Sequence, residues 1–299
     1  MSSRRVDEAA DAAGLLTTAT SKVGDEFGVP VRTLAGLFGL LPVAVTTLYH
    51  VAHNTPDGLP SGVPEFVALW YPFAIVGPAT AAFLLATDAE ATEERVGLTF
   101  LGGFGLIALA SPNAWIPAVI GTTVGGSVVV WSRLSRLHRD GEWDALRGVA
   151  PTALLIGGAA LSLAATAGVA STTLRPLGSG VALLALGMTP ALTGWDRTSL
   201  FVGAGAGLLT LGFATSTPYV AGAVLLVGGG VVGAPLGLVV LAVGGGVAGL
   251  VSGLRNGRAD LALGAALLLA AGVPATLLRA AGVLVAVALF ATASRGETV

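Results

Sequence analysis

Residues 228–253 read GGGVVGAPLGLVVLAVGGGVAGLVSG. Each glycine triplet opens a G-x-G-x-x-G, through Gly228, Gly230 and Gly233 and through Gly244, Gly246 and Gly249. Three readings compete: a nucleotide-binding turn, a flexible linker, or membrane helix. The surroundings decide between them. From Thr198 to Leu254, 57 residues pass without a charge. A dinucleotide fingerprint needs a soluble strand–turn–helix unit and an acidic residue about 20 positions on. No such unit surrounds this stretch, and Asp260 follows Gly233 by 27 residues, just after Arg258. Linkers are polar, whereas Val and Leu fill the spaces between these glycines. Neither a nucleotide nor a nucleic acid is therefore expected as a partner.

Composition extends the membrane reading to the whole chain. Of 299 residues, 54% are hydrophobic and 11% charged. Soluble domains carry roughly 25% charged residues, so a soluble chain of this composition could not cover its surface. The mean hydropathy of +0.84 points the same way. Cysteine is absent, which removes disulfides, thiolate metal sites and cysteine nucleophiles. Lys22 is the single lysine and lies in the polar N-terminal segment, which argues against Schiff-base chemistry. No cofactor is expected. Scarce lysine, acidic loops and abundant Ala, Gly, Val and Thr give a composition like that of salt-loving prokaryotes.

Charge-free gaps locate the spans, since a crossing needs about 20 mostly apolar residues. The first runs from Arg32 to about His53 and the second from Glu65 to Asp88. The gap from Val96 to Ser132 breaks at Ser111-Pro112-Asn113 into two short spans. A polar loop, 133–147, separates these from spans at about 148–170 and between Arg175 and Asp196. The 57-residue gap follows, and two more spans flank Arg279.

Basic residues in short loops mark the cytoplasmic side. Arg133, Arg136, Arg139 and Arg147 place loop 133–147 inside, and counting back places the N-terminus inside with Arg4, Arg5 and Lys22. Two crossings in the long gap put Arg255, Arg258 and Arg295 inside and give ten spans; three put them outside and give eleven. The arginines favour two, and plain hydropathy, with punctuation at Thr217-Pro218 and Ala234-Pro235, favours three. A re-entrant half-helix at 219–233 followed by a full crossing at 236–254 reconciles them.

The glycines then acquire a purpose. Gly229, Gly233, Gly237, Gly245, Gly249 and Gly253 keep a fourfold spacing with Leu241 in the missing rung. In lipid, hydrophobicity gives helices no net drive to associate; close packing does, and small residues permit it. This ladder is expected to form a helix-packing groove. At 3.6 residues per turn its rungs drift by about 40° each.

Candidate chemistry is sparse. No span carries a charge near its middle, so a buried carboxylate relay is not expected. His50 and His53, three apart near Asp57 and Glu65, are the one ligand-capable cluster at the outer surface; a metal or pH-sensing role is weighed against simple helix-end capping. Thr122 and Thr123 are candidate path-lining hydroxyls, although such hydroxyls more often bond to helix backbone. Gly233 and Pro235 are the candidate hinge or site, at the break inside the long gap.

The expectation is an all-α, polytopic integral membrane protein: a tightly packed Gly/Ala-rich bundle of about ten helices, eleven being the alternative. A polar cytoplasmic arm, 1–30, precedes a single transmembrane domain, 31–295. It is expected to be multi-pass in the plasma membrane, with lipid as its solvent and a protein partner at loop 133–147 or the N-terminal arm. It is not expected to be an enzyme. The functional reading is a permease-like transporter of a small solute; the alternative is a non-catalytic membrane subunit or scaffold.

Overall fold

Apolar runs rich in Leu, Ala and Val, punctuated by short polar turns, form helices wherever the chain is described. The computed structural model describes residues 29–54, 65–66, 69, 74–89, 91–110, 115–140, 146–166, 168–216, 235–271 and 277–293. The helices are α1 (Val31–Asn54), α2 (Val76–Asp88), α3 (Thr92–Ala110), α4 (Trp115–Asp140), α5 (Leu146–Thr166) and α6 (Ser171–Gly187). They continue with the single turn α7 (Pro190–Thr193), then α8 (Arg197–Ser216), α9 (Leu236–Arg255), α10 (Ala259–Ala271) and α11 (Leu277–Ala293). No strand occurs among the described residues.

The packing closes on itself. Each of α1 to α5 lies against the next, α6 lies against α9, α9 against α10, and α10 returns to α1. Inside this ring stands α11, touching α1, α2, α3, α4, α5 and α10. Every residue from Ala280 to Phe290 is buried. A helix buried on all faces must be apolar on all faces, and AAGVLVAVALF is. Outside the ring, α8 packs on α9.

Glycine sets how closely these helices approach. A Cβ on Gly125 of α4 would meet the backbone of Gly97 and Leu101 of α3, and one on Gly178 of α6 would meet Ser162 of α5. The triplet Gly244–Gly246 does this in three directions at once. Successive residues turn by about 100° around the axis. Gly244 thus meets Gly203 of α8, Gly245 meets Gly187 of α6, and Gly246 meets Leu269 of α10. The fourfold ladder spreads over different neighbours for the same reason: Gly249 faces Thr189 before α7, and Gly253 faces Ala262 of α10. Gly237 has no described atom within 4 Å of the place a Cβ would take. Gly229 and Gly233 lie outside the described residues.

The exterior is apolar as well. Phe201, Leu208, Leu209, Ile120 and Leu177 are more than half exposed, while buried positions are heavily Ala, Leu and Val. An apolar outer face of this extent is what a protein solvated by acyl chains presents.

Registers fix the direction of each helix. Gly203 and Gly207 of α8 meet Gly244 and Val240 of α9, so these two are antiparallel. Arg32 at the start of α1 bonds Asp88 at the end of α2, with Nε 2.7 Å from Oδ2. Following the chain, Arg32, Arg95, Arg197, Arg255 and Arg258 stand at one end of the bundle, here the basic end. Arg175 and Arg279 open α6 and α11 at the other end. The stretch expected as a loop from 133 is helical through Asp140, so Arg133, Arg136 and Arg139 ride on the last turns of α4. Arg and Leu are strong helix formers, and RLSRLHRD contains no Gly or Pro to stop the helix.

Candidate functional site

The most polar buried region lies where α6 breaks. Between Arg175 and Asp196 an unbroken span is expected; instead α6 ends at Gly187 and a separate turn, α7, follows. Pro190 has no N–H for the carbonyl of Leu186. Thr189 replaces it, its N–H donating to Leu186 O at 3.1 Å and its hydroxyl at 2.5 Å. The interruption runs alongside α9: Gly187 lies by Leu241 and Gly245, and Thr189 and Thr193 lie by Gly249. Gly194 then turns the chain with φ +103°, a conformation that favours glycine.

Side chains lock this segment to α9. Ser252, 1% exposed, donates its hydroxyl to the carbonyls of Thr193 at 3.1 Å and Gly194 at 3.2 Å. Asn256 donates to Ser252 Oγ at 3.3 Å. Asp196 caps α8, accepting from the backbone N–H of Ser199 at 3.2 Å and from its hydroxyl at 3.0 Å. Arg255 at the end of α9 pairs with the same carboxylate at 3.0 Å. Burial works to raise the Asp196 pKa, but the Ser199 hydrogen bonds and the Arg255 charge outweigh it and hold the carboxyl below its ordinary value. At the end of α9, Gly257 takes φ +66°, and Arg258 N–H returns to Gly253 O at 2.9 Å. This is a Schellman-type stop.

The residues expected to line a path are not assembled into one site. Thr122 is fully buried on α4. Gly126, one turn on, touches Leu284, so this face of α4 looks toward α11. The Thr122 hydroxyl meets no hydrogen-bond partner among the described residues. Thr123, beside it, is half-buried. Pro235 is exposed and opens α9 as its N-cap. In the ring α5 and α6 stand between α4 and α9, so Thr122 and Pro235 are apart. Gly233 lies outside the described residues. His50 and His53 fall in the last turns of α1, where the backbone alone is described.

Two features escaped the sequence reading. Pro190 with Gly194 marked the break, but the span was bounded by charges alone. The second is Glu94, which sits in the first turn of α3 and is 1% exposed. Thr92-Glu93-Glu94 before an apolar run is a helix-start pattern, and carboxylates there favour the positive end of the helix dipole.

Helices packed at backbone contact inside an apolar exterior define an all-helical integral membrane protein. By length and hydropathy alone, two of the described helices qualify as candidate spans, at Arg197–Thr215 and Leu236–Arg255, with mean hydropathies of 1.4 and 2.0. The chain belongs to an integral membrane family of unknown function (DUF8068), matched over residues 32–291. No curated protein and no solved structure matches it.

Proposed function

We propose that the chain crosses the plasma membrane ten times, with both termini cytoplasmic, and serves as a non-catalytic subunit or scaffold of a larger membrane assembly. The observation that carries the functional part is α11. Ala280 to Phe290 are buried on every side, so the ring axis is filled by Ala, Val and Leu side chains where a conduit would need polar walls. The hydroxyls of Thr189, Thr193 and Ser252 support a structural role as well, because each donates to a backbone carbonyl. Docking falls to the cytoplasmic surfaces, the N-terminal arm and the segment 133–147.

The count of ten takes α6 and α7 as one interrupted crossing. It is supported by the antiparallel α8 and α9, since the end of α8 at Ser216 and the start of α9 at Leu236 stand at the same end of the bundle. Orientation is supported by the arginines. Among the described Arg residues, Arg175 and Arg279 alone fall at the non-basic end, and the basic end of a polytopic protein faces the cytoplasm.

One observation favours the permease reading: the crossing broken at Met188–Pro190, since discontinuous helices mark many transport sites. Purification from mild detergent at native abundance separates the two. A protein bound in fixed stoichiometry is expected. A lone monodisperse chain that supports solute uptake in proteoliposomes would overturn the subunit reading. For topology, Asn256→Cys is expected to react with an impermeant reagent from the cytoplasmic side alone; labelling from outside would sink the count of ten.

A further inference from the structure

We propose that a sodium ion binds where the turn α7 ends against α9, held by the carbonyl oxygens of Thr193 and Gly194, the hydroxyl oxygen of Ser252 and the side-chain amide oxygen of Asn256. The site goes beyond the subunit reading, since it needs no partner. What points to it is a shortage of donors. The carbonyls of Thr193, at 3.1 Å, and Gly194, at 3.2 Å, share the one proton of the Ser252 hydroxyl. Both separations exceed the usual O–H···O length of about 2.7–2.8 Å. No backbone N–H among the described residues donates to either carbonyl. A carbonyl oxygen offers two lone pairs, so acceptors outnumber protons at this point.

The broken crossing creates the excess. In an unbroken helix these carbonyls would accept from the N–H groups four residues on, those of Arg197 and Thr198. Gly194 instead turns the chain at φ +103°, and the Thr198 N–H bonds the Asp196 carboxylate. Thr193 and Ser252 are buried, while Gly194 and Asn256 are exposed. The oxygens therefore converge at the edge of the bundle, where an ion with its remaining waters can enter from the aqueous phase at the basic end.

Spacing and charge identify the ion. Oxygens at adjacent corners of an octahedral shell, at the 3.1 and 3.2 Å found here, imply a metal–oxygen distance of about 2.2 Å, which suits a small hard cation. Potassium needs a wider shell. Calcium and magnesium call for carboxylates, and the nearby one, Asp196, is taken by Ser199 and Arg255. Neutral oxygens suit a monovalent cation, and unwound carbonyls beside helix C-termini coordinate sodium in membrane proteins. Ser252 and Asn256 lie in the last turn and cap of α9, at the negative end of its dipole. A half-turn of the Asn256 amide puts Oδ1 in the place of Nδ2, 3.3 Å from Ser252 Oγ. The Ser252 proton then turns to the carbonyl of Ala248, one turn back, as the Thr210 hydroxyl donates to Ala206.

The test is the thermal midpoint of the full chain in maltoside micelles, titrated with sodium chloride, potassium chloride or choline chloride at one fixed ionic strength. Sodium is expected to raise the midpoint along a saturating curve, as a ligand of the folded state does, with potassium weaker and choline without effect. Deuterium uptake at 188–196 is expected to slow with sodium. Ser252→Ala is expected to lose the sodium-dependent rise. Asn256→Ala, at an exposed position and so compatible with folding, is expected to raise the half-saturating sodium concentration at least about tenfold. Equal midpoints in sodium and choline would overturn the proposal in favour of bare screening. Equal stabilisation by potassium would contradict the spacing argument. A sodium effect that survives Asn256→Ala unchanged, with no slowing at 188–196, would place the ion elsewhere and overturn this site.

Discussion

A Cβ on Gly125 would stand 2.5 Å from the carbonyl oxygen of Gly97 and 2.7 Å from the amide nitrogen of Leu101. Both obstacles are backbone, so α3 and α4 must separate to admit a methyl group. We expect Gly125→Ala to cost about 1–3 kcal/mol, read as loss of stability in detergent. Gly157→Ala, on α5 with nothing within 4 Å, is expected to be neutral or slightly stabilising because alanine is the better helix former. Equal effects would remove backbone contact as the basis of packing. Asp196 adds a pH dependence. Its pKa is depressed on folding, so its contribution is fully present above the unfolded value, about 3.9. That contribution is lost as pH falls through the lower folded value. Asp196→Asn is expected to abolish this acid-side loss in a thermal midpoint measured from pH ~3 to ~7. An unchanged acid limb would contradict the Ser199 and Arg255 contacts. The sequence showed which residues were small. It left open which neighbour each would meet, because that depends on rotation around the helix and on the order of helices in the ring.

Among the elements, the interrupted α6–α7 segment is tied to α9 through the buried Ser252 hydroxyl. Ser252→Ala removes the hydroxyl shared by the carbonyls of Thr193 and Gly194. We expect a loss of roughly 1–3 kcal/mol, the usual consequence of stranding a buried polar group. Deuterium uptake is expected to rise first at 188–196. Uptake spread evenly over the bundle would show that the break is not locally anchored. The sign of this element was present in Pro190 and Gly194. The charge-free gap between Arg175 and Asp196 has the length of one ordinary span, unlike the longer gaps punctuated at Pro112, Pro218 and Pro235. Within a gap of ordinary length, nothing in the hydropathy called for a break. The helix bounds, by contrast, were legible from Arg32, Asp88, Asp196, Arg255 and Asp260, because charged side chains stay near the ends of membrane helices.

At the scale of the molecule, the last helix is the innermost. Leu277–Ala293 looks no different in sequence from α9 or α10, since a membrane helix is apolar whether it faces lipid or protein. Its central place could be read only from packing: Gly39 of α1, Gly126 of α4 and Gly264 of α10 all open toward its Val285, Leu284 and Phe290. This arrangement sets α11 along the axis that a permease would keep hydrated. The most direct measurement is the reactivity of Val285→Cys, at a fully buried position on α11. The natural chain has no cysteine, so no other thiol contributes. In sealed vesicles, a small hydrophilic thiol reagent is expected to leave Cys at 285 unmodified from either side and to modify it fully after denaturation. Modification in the native vesicle would reveal a hydrated path along α11 and contradict a filled axis.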